Sequence, residues 1–209
     1  MSEIIQNIAV IIASLTAVYG IISWRKEHIG RRKIDLAEEV LSSVYEIKDV
    51  IRSIRSPFGF VGEGKTRKRG QHETSEQSEI LDNAYVVYER YNKNIEVFNS
   101  FYRLKYRFKA NFGLKAEEPF LIVRKIIAHI FAASNMLSSV YWKNQGRKQM
   151  SEAEFQRHLE GMEKNEAIFW EMNDDDEINT KISEAIEICE EICKSINNTG
   201  LKNYFKKYR

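Results

Sequence analysis

The sequence IIQNIAVIIASLTAVYGIISW, residues 4–24, contains no charged side chain and is followed directly by RKEHIGRRK, residues 25–33. At a rise of about 1.5 Å per residue, a helix over residues 4–24 spans about 31 Å, which matches a bilayer hydrocarbon core of about 30 Å. Trp24 falls at the end of the apolar stretch, where an interfacial aromatic residue is favoured. The stretch therefore predicts a single transmembrane helix.

Two other interpretations of residues 4–24 are a cleaved signal peptide and a buried core helix. A signal peptide has a positive segment before a shorter apolar run, but here the acidic Glu3 precedes the run and the basic cluster follows it. A core helix rarely lacks charge on every face over this length. Both alternatives are therefore less favoured than a membrane span.

The charges that flank the apolar stretch predict its orientation. Residues 25–33 hold five cations against the single acid Glu27, a net charge of +4. The five cations, which we expect to contact anionic lipid, are Arg25, Lys26, Arg31, Arg32 and Lys33. The positive-inside rule places the C-terminal side in the cytoplasm. We therefore expect a bacterial inner-membrane protein with residues 1–3 outside, a basic juxtamembrane segment at 25–33, and a cytosolic domain at 34–209.

The remainder of the chain predicts an all-α domain. It contains two prolines and eight of the chain's ten glycines, and no stretch shows the sustained alternation of apolar and polar residues typical of strands. We expect a cytosolic bundle of about five long helices, with a polar loop at 56–75. Cys189 and Cys193 lie in the predicted cytosolic part, so we expect reduced thiols in them.

Apolar periodicity and capping residues predict the individual helices. Counting the membrane helix as the first, the second predicted helix covers residues 34–55, and we expect that it continues the membrane helix, with Gly30 as a weak point. The third begins at Ser75 or Ser78 and runs to Gly113. A fourth helix, the most apolar of the cytosolic set, begins at residues 117–119 and continues through Trp142. A capping box at Ser151 begins a fifth, which ends near residue 172, and a sixth follows residues 174–177.

The third predicted helix carries a stripe of mostly aromatic residues, which predicts a core face or a surface for a partner helix. The stripe comprises Leu81, Tyr85, Tyr88, Tyr91, Ile95, Phe98, Tyr102 and Tyr106.

The net charge of +2 conceals an uneven distribution. Between Ser151 and Glu191 there are fourteen acidic residues against three basic ones, a net of −11, which leaves +13 for the rest of the chain. One interpretation is that acidic and basic helices pair inside the bundle. The other is that the basic surfaces face anionic lipid while the acidic helices point away.

Residues 59–66, GFVGEGKT, match the phosphate-loop pattern G-x-x-x-x-G-K-[ST]. That loop must leave a buried strand and enter a helix that binds the phosphates, whereas here a helical pattern ending at Pro57 precedes it. We therefore predict no nucleotide hydrolysis. The cations of this loop instead suggest a flexible basic loop near lipid headgroups or RNA, and they are Lys65, Arg67, Lys68 and Arg69.

Arg124 and His129 form an R-x4-H motif on the fourth helix. It resembles the R-x4-6-H motif of HEPN ribonucleases, all-helical domains in which two protomers bring arginine and histidine to one dimer cleft. The resemblance implies that His129 acts as a general acid/base or positioning group and Arg124 as a phosphate ligand. It covers one helix, and Arg67 with His72 makes a second match in a loop. The alternative is a histidine at the edge of the core.

Two further clusters have both a functional and a structural interpretation. The cations of residues 103–109 alternate with aromatics, as in nucleic-acid surfaces, but cations at a helix C-terminus also complement its dipole. Cys189 and Cys193 lie one helical turn apart and would need two further ligands to bind zinc. They also fit the apolar stripe of their helix, so we predict neither a metal nor a cofactor.

No catalytic constellation emerges from these patterns. We therefore expect a membrane-anchored binding or effector module that acts through a protein partner or through self-association. Its plan resembles small membrane-anchored proteins of bacterial stress or phage-defence systems. A membrane-tethered HEPN-like ribonuclease and a module binding nucleic acid or anionic lipid are the alternatives.

Overall fold

The computed structural model describes the backbone of residues 2–173 and 175–207, and the side chains of residues 3–173 and 175–196. This part of the chain is 82% helix and contains no strand, which confirms the all-α fold class. The long helices are α1 (Ser2–Arg55), α2 (Ser75–Lys93), α3 (Ile95–Phe112), α4 (Glu118–Met136), α6 (Glu152–Phe169) and α7 (Glu177–Lys207); α5 (Trp142–Asn144) is a single short turn. Asp174 and the side chains of the basic tail at 201–209 lie outside the described residues.

The chain divides into two compact units, which are Met1–Glu39 with Glu191–Arg209, and Val40–Glu190. The first unit contains the apolar stretch at 4–24, whose side chains are exposed, as shown by Ile5 at 67% and Trp24 at 66%. None of its most apolar window is buried. By length and composition, α1 can cross a membrane, and it continues through Gly30 without a break.

The second unit is built around the apolar face of α1 that periodicity predicts. Five side chains of this face have no exposed surface, and they are Val40, Val44, Ile47, Ile51 and Ile54. Helix α4 packs against α2, α3 and α6, as expected for the most apolar of these helices. The stretch Leu114–Asn144 is also long and apolar enough to cross a membrane, but 44% of its most apolar window is buried.

The prediction of one helix from Ser75 to Gly113 is wrong. The helix begins after Thr74, whose hydroxyl accepts from the Gln77 N–H in a capping box, and it ends at Lys93. Asn94 interrupts it because its side-chain amide donates to the Arg90 carbonyl at 2.9 Å, a local bond that competes with the helical ladder. Helix α3 then ends as predicted at Gly113, which adopts φ +86°.

The predicted aromatic stripe is only partly a core face. Phe98 is fully buried, but most of its other members are half-buried and Tyr106 is 72% exposed. The buried residues of α3 are Phe98, Phe101, Leu104 and Phe108. Because the helix restarts at Asn94, the periodicity of α2 does not continue in register into α3.

The later helices follow the prediction with small differences. Ser151 and Glu154 form the predicted capping box, but α6 ends at Phe169 rather than near residue 172 because Trp170 adopts an extended conformation. A π-helical turn, Leu137–Tyr141, separates α4 from α5. Along α7, Ile178, Ile182 and Cys189 are fully buried, as their spacing indicates.

Candidate functional site: an aromatic groove

A groove of about 640 Å³ opens in the second unit, and its volume lies within the range of ligand sites. We call it the aromatic groove. It is bounded by the loop after α1, by one face of α2, and by two tryptophans. Its lining residues are Pro57, Gly59, Phe60, Val61, Glu63, Ile80, Asn83, Val86, Arg90, Trp142 and Trp170.

The loop edge of the groove exposes large apolar side chains. Phe58 and Phe60 are each 84% exposed, and Val61 is fully exposed. Exposure of apolar side chains to water is unfavourable in free energy, and clustered apolar surface of this kind marks interaction sites. Here the cluster lies beside a recess that is itself lined by aromatic side chains, which is the composition of binding hot spots.

Arg90 on α2 holds the loop wall in place. Its guanidinium is buried and donates to four backbone carbonyls at the end of α1 and the start of the loop, which belong to Ser53, Ile54, Ser56 and Phe58. It also pairs with the Glu63 carboxylate at 2.7 Å. Arg90 thus satisfies the carbonyls that the end of a helix leaves without partners, and it anchors the base of the Phe58–Val61 segment.

Arg55, the last residue of α1, holds the opposite wall. It is fully buried and donates to the carbonyls of Ala167, Ile168 and Trp170, at distances of 2.8 to 3.1 Å. It also pairs with Asp176. Each of the two buried arginines therefore caps the end of one helix, and together they fix the backbone on both sides of the groove.

The tryptophan wall is stabilised by aromatic packing. Buried Phe169 contacts Trp142 edge-on, with ring centroids 5.5 Å apart, and also Trp170, at 4.3 Å. The Trp142 indole N–H donates to Glu166 at 2.8 Å. Both indoles are half-buried, so each ring is held on one side and accessible on the other.

The phosphate-loop pattern forms a different structure from a nucleotide-binding loop. The Gly64 N–H and the Thr66 hydroxyl both donate to one oxygen of Glu89, at 2.9 and 2.8 Å. The Glu89 carboxylate thus accepts hydrogen bonds from the groups that would bind a phosphate in a nucleotide-binding loop. Gly64 has φ +79°, and a Cβ there would lie 1.9 Å from the Asp82 carbonyl oxygen, so only glycine fits.

The four cations predicted to form a flexible basic loop divide into two groups. Arg67 pairs with Glu73 and Asp82, and Arg69 pairs with Asp82. The Arg67 guanidinium and, after it, the Gly70 N–H lower the pKa of Glu73 to about 2. Lys65 and Lys68 are exposed. Ion pairs and hydrogen bonds therefore organise this segment, and its contact with lipid or RNA stays a prediction.

Arg124 and His129 are both exposed on α4, so the His129 side chain is accessible to solvent. Five residues of helix rotate by about 140°, which directs the two side chains to different sides. His129 Nδ1 lies 3.5 Å from the Lys181 ammonium and 3.9 Å from Glu177 Oε1. Lys181 lowers the pKa of Glu177. A ribonuclease role for this pair stays a prediction.

Several of the other predicted basic residues have intramolecular partners. Lys105 and Lys109 both pair with Glu117, which neutralises part of the patch at 103–109. In the juxtamembrane segment, Arg31 pairs with Glu27 one turn away. Arg25, Lys26 and Arg32 are exposed and Lys33 is half-buried. Their contact with lipid headgroups stays a prediction.

The aromatic groove combines apolar walls with one internal ion pair. Its ionisable lining residues are Glu63 and Arg90, which pair with each other, and the arginine lowers the pKa of the Glu63 carboxyl. A groove whose acid is held ionised by its own arginine offers neither a general base poised near neutral pH nor a nucleophile. Its apolar walls and the exposed amide of Asn83 suit an apolar side chain with a few polar contacts.

Sequence reasoning missed this site. Its one local signal was PFGFVG, residues 57–62, in which three large apolar residues lie among turn formers. Trp142 and Trp170, which complete the groove, are far from this segment in sequence. Comparison with protein-family models, with curated proteins and with solved structures finds no match to this chain.

Proposed function

We propose that this protein is a single-pass membrane-anchored module of the bacterial inner membrane whose cytosolic helical bundle binds a protein partner, or a second copy, through the aromatic groove. The observation that carries this proposal is the exposure of Phe58, Phe60 and Val61 beside a recess whose charges are already paired. Such a surface gains free energy when another apolar surface covers it, and it offers no group for catalysis.

The anchor is supported by the apolar segment of α1. Its side chains at 4–24 are exposed along the helix, and in water that much apolar surface would be strongly unfavourable. The net charge of +4 that follows at 25–33 favours a cytoplasmic position for the C-terminal part. A role in bacterial stress or phage defence rests on the resemblance in architecture alone.

Cell fractionation tests the anchor. We expect the full chain in the membrane fraction after washing at high salt and at alkaline pH, and a variant lacking residues 4–24 in the soluble fraction. Two reporters are fused in turn to the C-terminus to test the orientation. We expect the reporter that functions only in the cytoplasm to be active and the reporter that functions only outside it to be inactive. A full chain that is soluble after lysis would overturn the membrane part of the proposal.

Photo-crosslinking tests the binding surface. A photoreactive amino acid replaces Phe60 in the full chain, and the cells are irradiated before membranes are solubilised. We expect a covalent adduct, to another protein or to a second copy. The matched control places the same amino acid at Leu114, which is 78% exposed and does not line the groove. Equal labelling from the two positions would contradict a specific role for the groove.

A further inference from the structure

We propose that the occupant of the aromatic groove is the Phe58–Val61 segment of a second copy of this chain, exchanged reciprocally across a two-fold axis. This inference rests on the proposed function and specifies its partner. Its components are a protruding apolar segment, a recess of matching chemistry, and paired charges, all on one face of the second unit.

The protrusion and the recess belong to the same surface patch. Phe60 and Val61 line the groove, yet they leave 84% and all of their surface uncovered. A two-fold interface uses the same patch on both subunits, so the patch must be complementary to itself. An apolar tip next to an aromatic recess meets this condition, because each copy supplies the tip that fills the recess of the other.

Charge favours a second copy at this face over contact through the exposed acidic sides of α6 and α7. Residues 151–191 carry a net charge of −11, so two copies that meet through the exposed acidic sides of α6 and α7 repel each other. Inside the groove, Glu63 and Arg90 are paired at 2.7 Å. Two identical surfaces can therefore approach here without placing like charges opposite each other.

The exposed area is of the right order for a dimer. A phenylalanine side chain buries about 150–250 Å² when it is covered, so Phe58 and Phe60 together offer about 300 Å² per subunit. A standard interface needs about 800 Å² per subunit. Val61, Met172 at 69% exposure, and the accessible faces of Trp142 and Trp170 add to this area.

Anchoring in one bilayer strengthens the exchange. Two copies inserted in the same orientation diffuse in two dimensions, which raises the effective concentration of each for the other, as any tether does. A modest intrinsic affinity then suffices for association.

Site-specific disulfide formation between differently tagged copies tests the inference. One full-length copy carries Val61→Cys and the other carries Asn83→Cys, and both are coexpressed and oxidised in intact membranes. We expect a disulfide-linked product that contains both tags. The control pair combines Leu114→Cys with Asn83→Cys. Native Cys189 is buried and Cys193 is half-buried, and any background from them is common to both pairs.

A second measurement follows the dissociation constant of the full chain in detergent. Phe60→Ser is present twice in the dimer, so we expect the dissociation constant to rise about 100-fold or more, as for truncation of hot-spot aromatics. Leu114→Ser is expected to change it less than about threefold. The proposal that a second copy fills the groove is overturned if the Val61→Cys and Asn83→Cys pair yields no more mixed disulfide product than the control pair. It is also overturned if Phe60→Ser leaves the dissociation constant unchanged. It is also overturned if the photo-crosslinked adduct at residue 60 is a different protein, an outcome that leaves the proposed function intact.

Discussion

Alanine substitutions at Gly62 and Gly64 separate backbone strain from steric conflict, because both effects act at Gly64 and only the first acts at Gly62. Both glycines have positive φ, +95° at Gly62 and +79° at Gly64. A Cβ at Gly62 meets nothing within 4 Å, whereas a Cβ at Gly64 would lie 1.9 Å from the Asp82 carbonyl oxygen. The two substitutions therefore share the strain of a left-handed backbone, and only one of them adds a steric conflict.

The expected magnitudes follow from these contacts. The left-handed conformation costs about 1–2 kcal/mol for a residue with a Cβ, and we expect this loss of unfolding free energy for Gly62→Ala. At Gly64, displacement of the helical backbone at Asp82 adds about 1–3 kcal/mol. It also weakens the buried hydrogen bond from the Gly64 N–H to Glu89. We therefore expect Gly64→Ala to cost about 2–5 kcal/mol from strain and steric conflict together, with the weakened hydrogen bond adding to this loss.

Urea unfolding of the full chain in detergent measures both variants. Trp24→Phe serves as the common background, so that fluorescence reports on Trp142 and Trp170 beside the groove. The midpoint is expected to fall much further for Gly64→Ala than for Gly62→Ala. If the two variants lose equal stability within about 0.5 kcal/mol, the close approach of Gly64 to α2 does not hold the loop, and this account of the site is wrong.

Three further predictions concern buried or paired groups. Arg90→Met leaves Glu63 without its partner, and we expect a loss of about 3–5 kcal/mol in urea unfolding, part of which Glu63→Gln recovers in the double variant. Gly161→Ala, normally favourable by about 1 kcal/mol in a helix, is expected to destabilise because its Cβ would lie 2.3 Å from the Tyr141 hydroxyl; Tyr141→Phe is expected to recover part of the loss, and thermal unfolding measures both. Glu73 has a pKa lowered from 4.5 to about 2, so its contribution to stability is complete above pH 4.5 and is lost as the pH falls toward 2. Glu73→Gln is expected to flatten the unfolding free energy across that window, and an unchanged pH profile would contradict the pairing.

Local patterns determined much of the helical structure. The uncharged stretch at 4–24, the apolar period of residues 37–54, the glycine at 113 and the capping box at Ser151 all predicted features that the structure has. Each depends on contacts within one turn of helix or on one repeated face, so a single segment contains the whole signal. The break at Asn94 was missed because the sequence shows only a single asparagine. It does not show that the asparagine side-chain amide donates to the Arg90 carbonyl.

The aromatic groove was decided by tertiary structure alone. No sequence pattern singles out Arg55 or Arg90, yet both are buried and cap the ends of other elements. Their partners are up to 121 residues away, so no local pattern links them. The sequence by itself determined most of the helical segments, though not the break at Asn94, and which stretch suits a membrane. The packing of the helix ends determined which apolar side chains remain exposed. This packing depends on hydrogen bonds and ion pairs between the buried guanidinium groups of Arg55 and Arg90 and carbonyls and carboxylates that are distant in sequence.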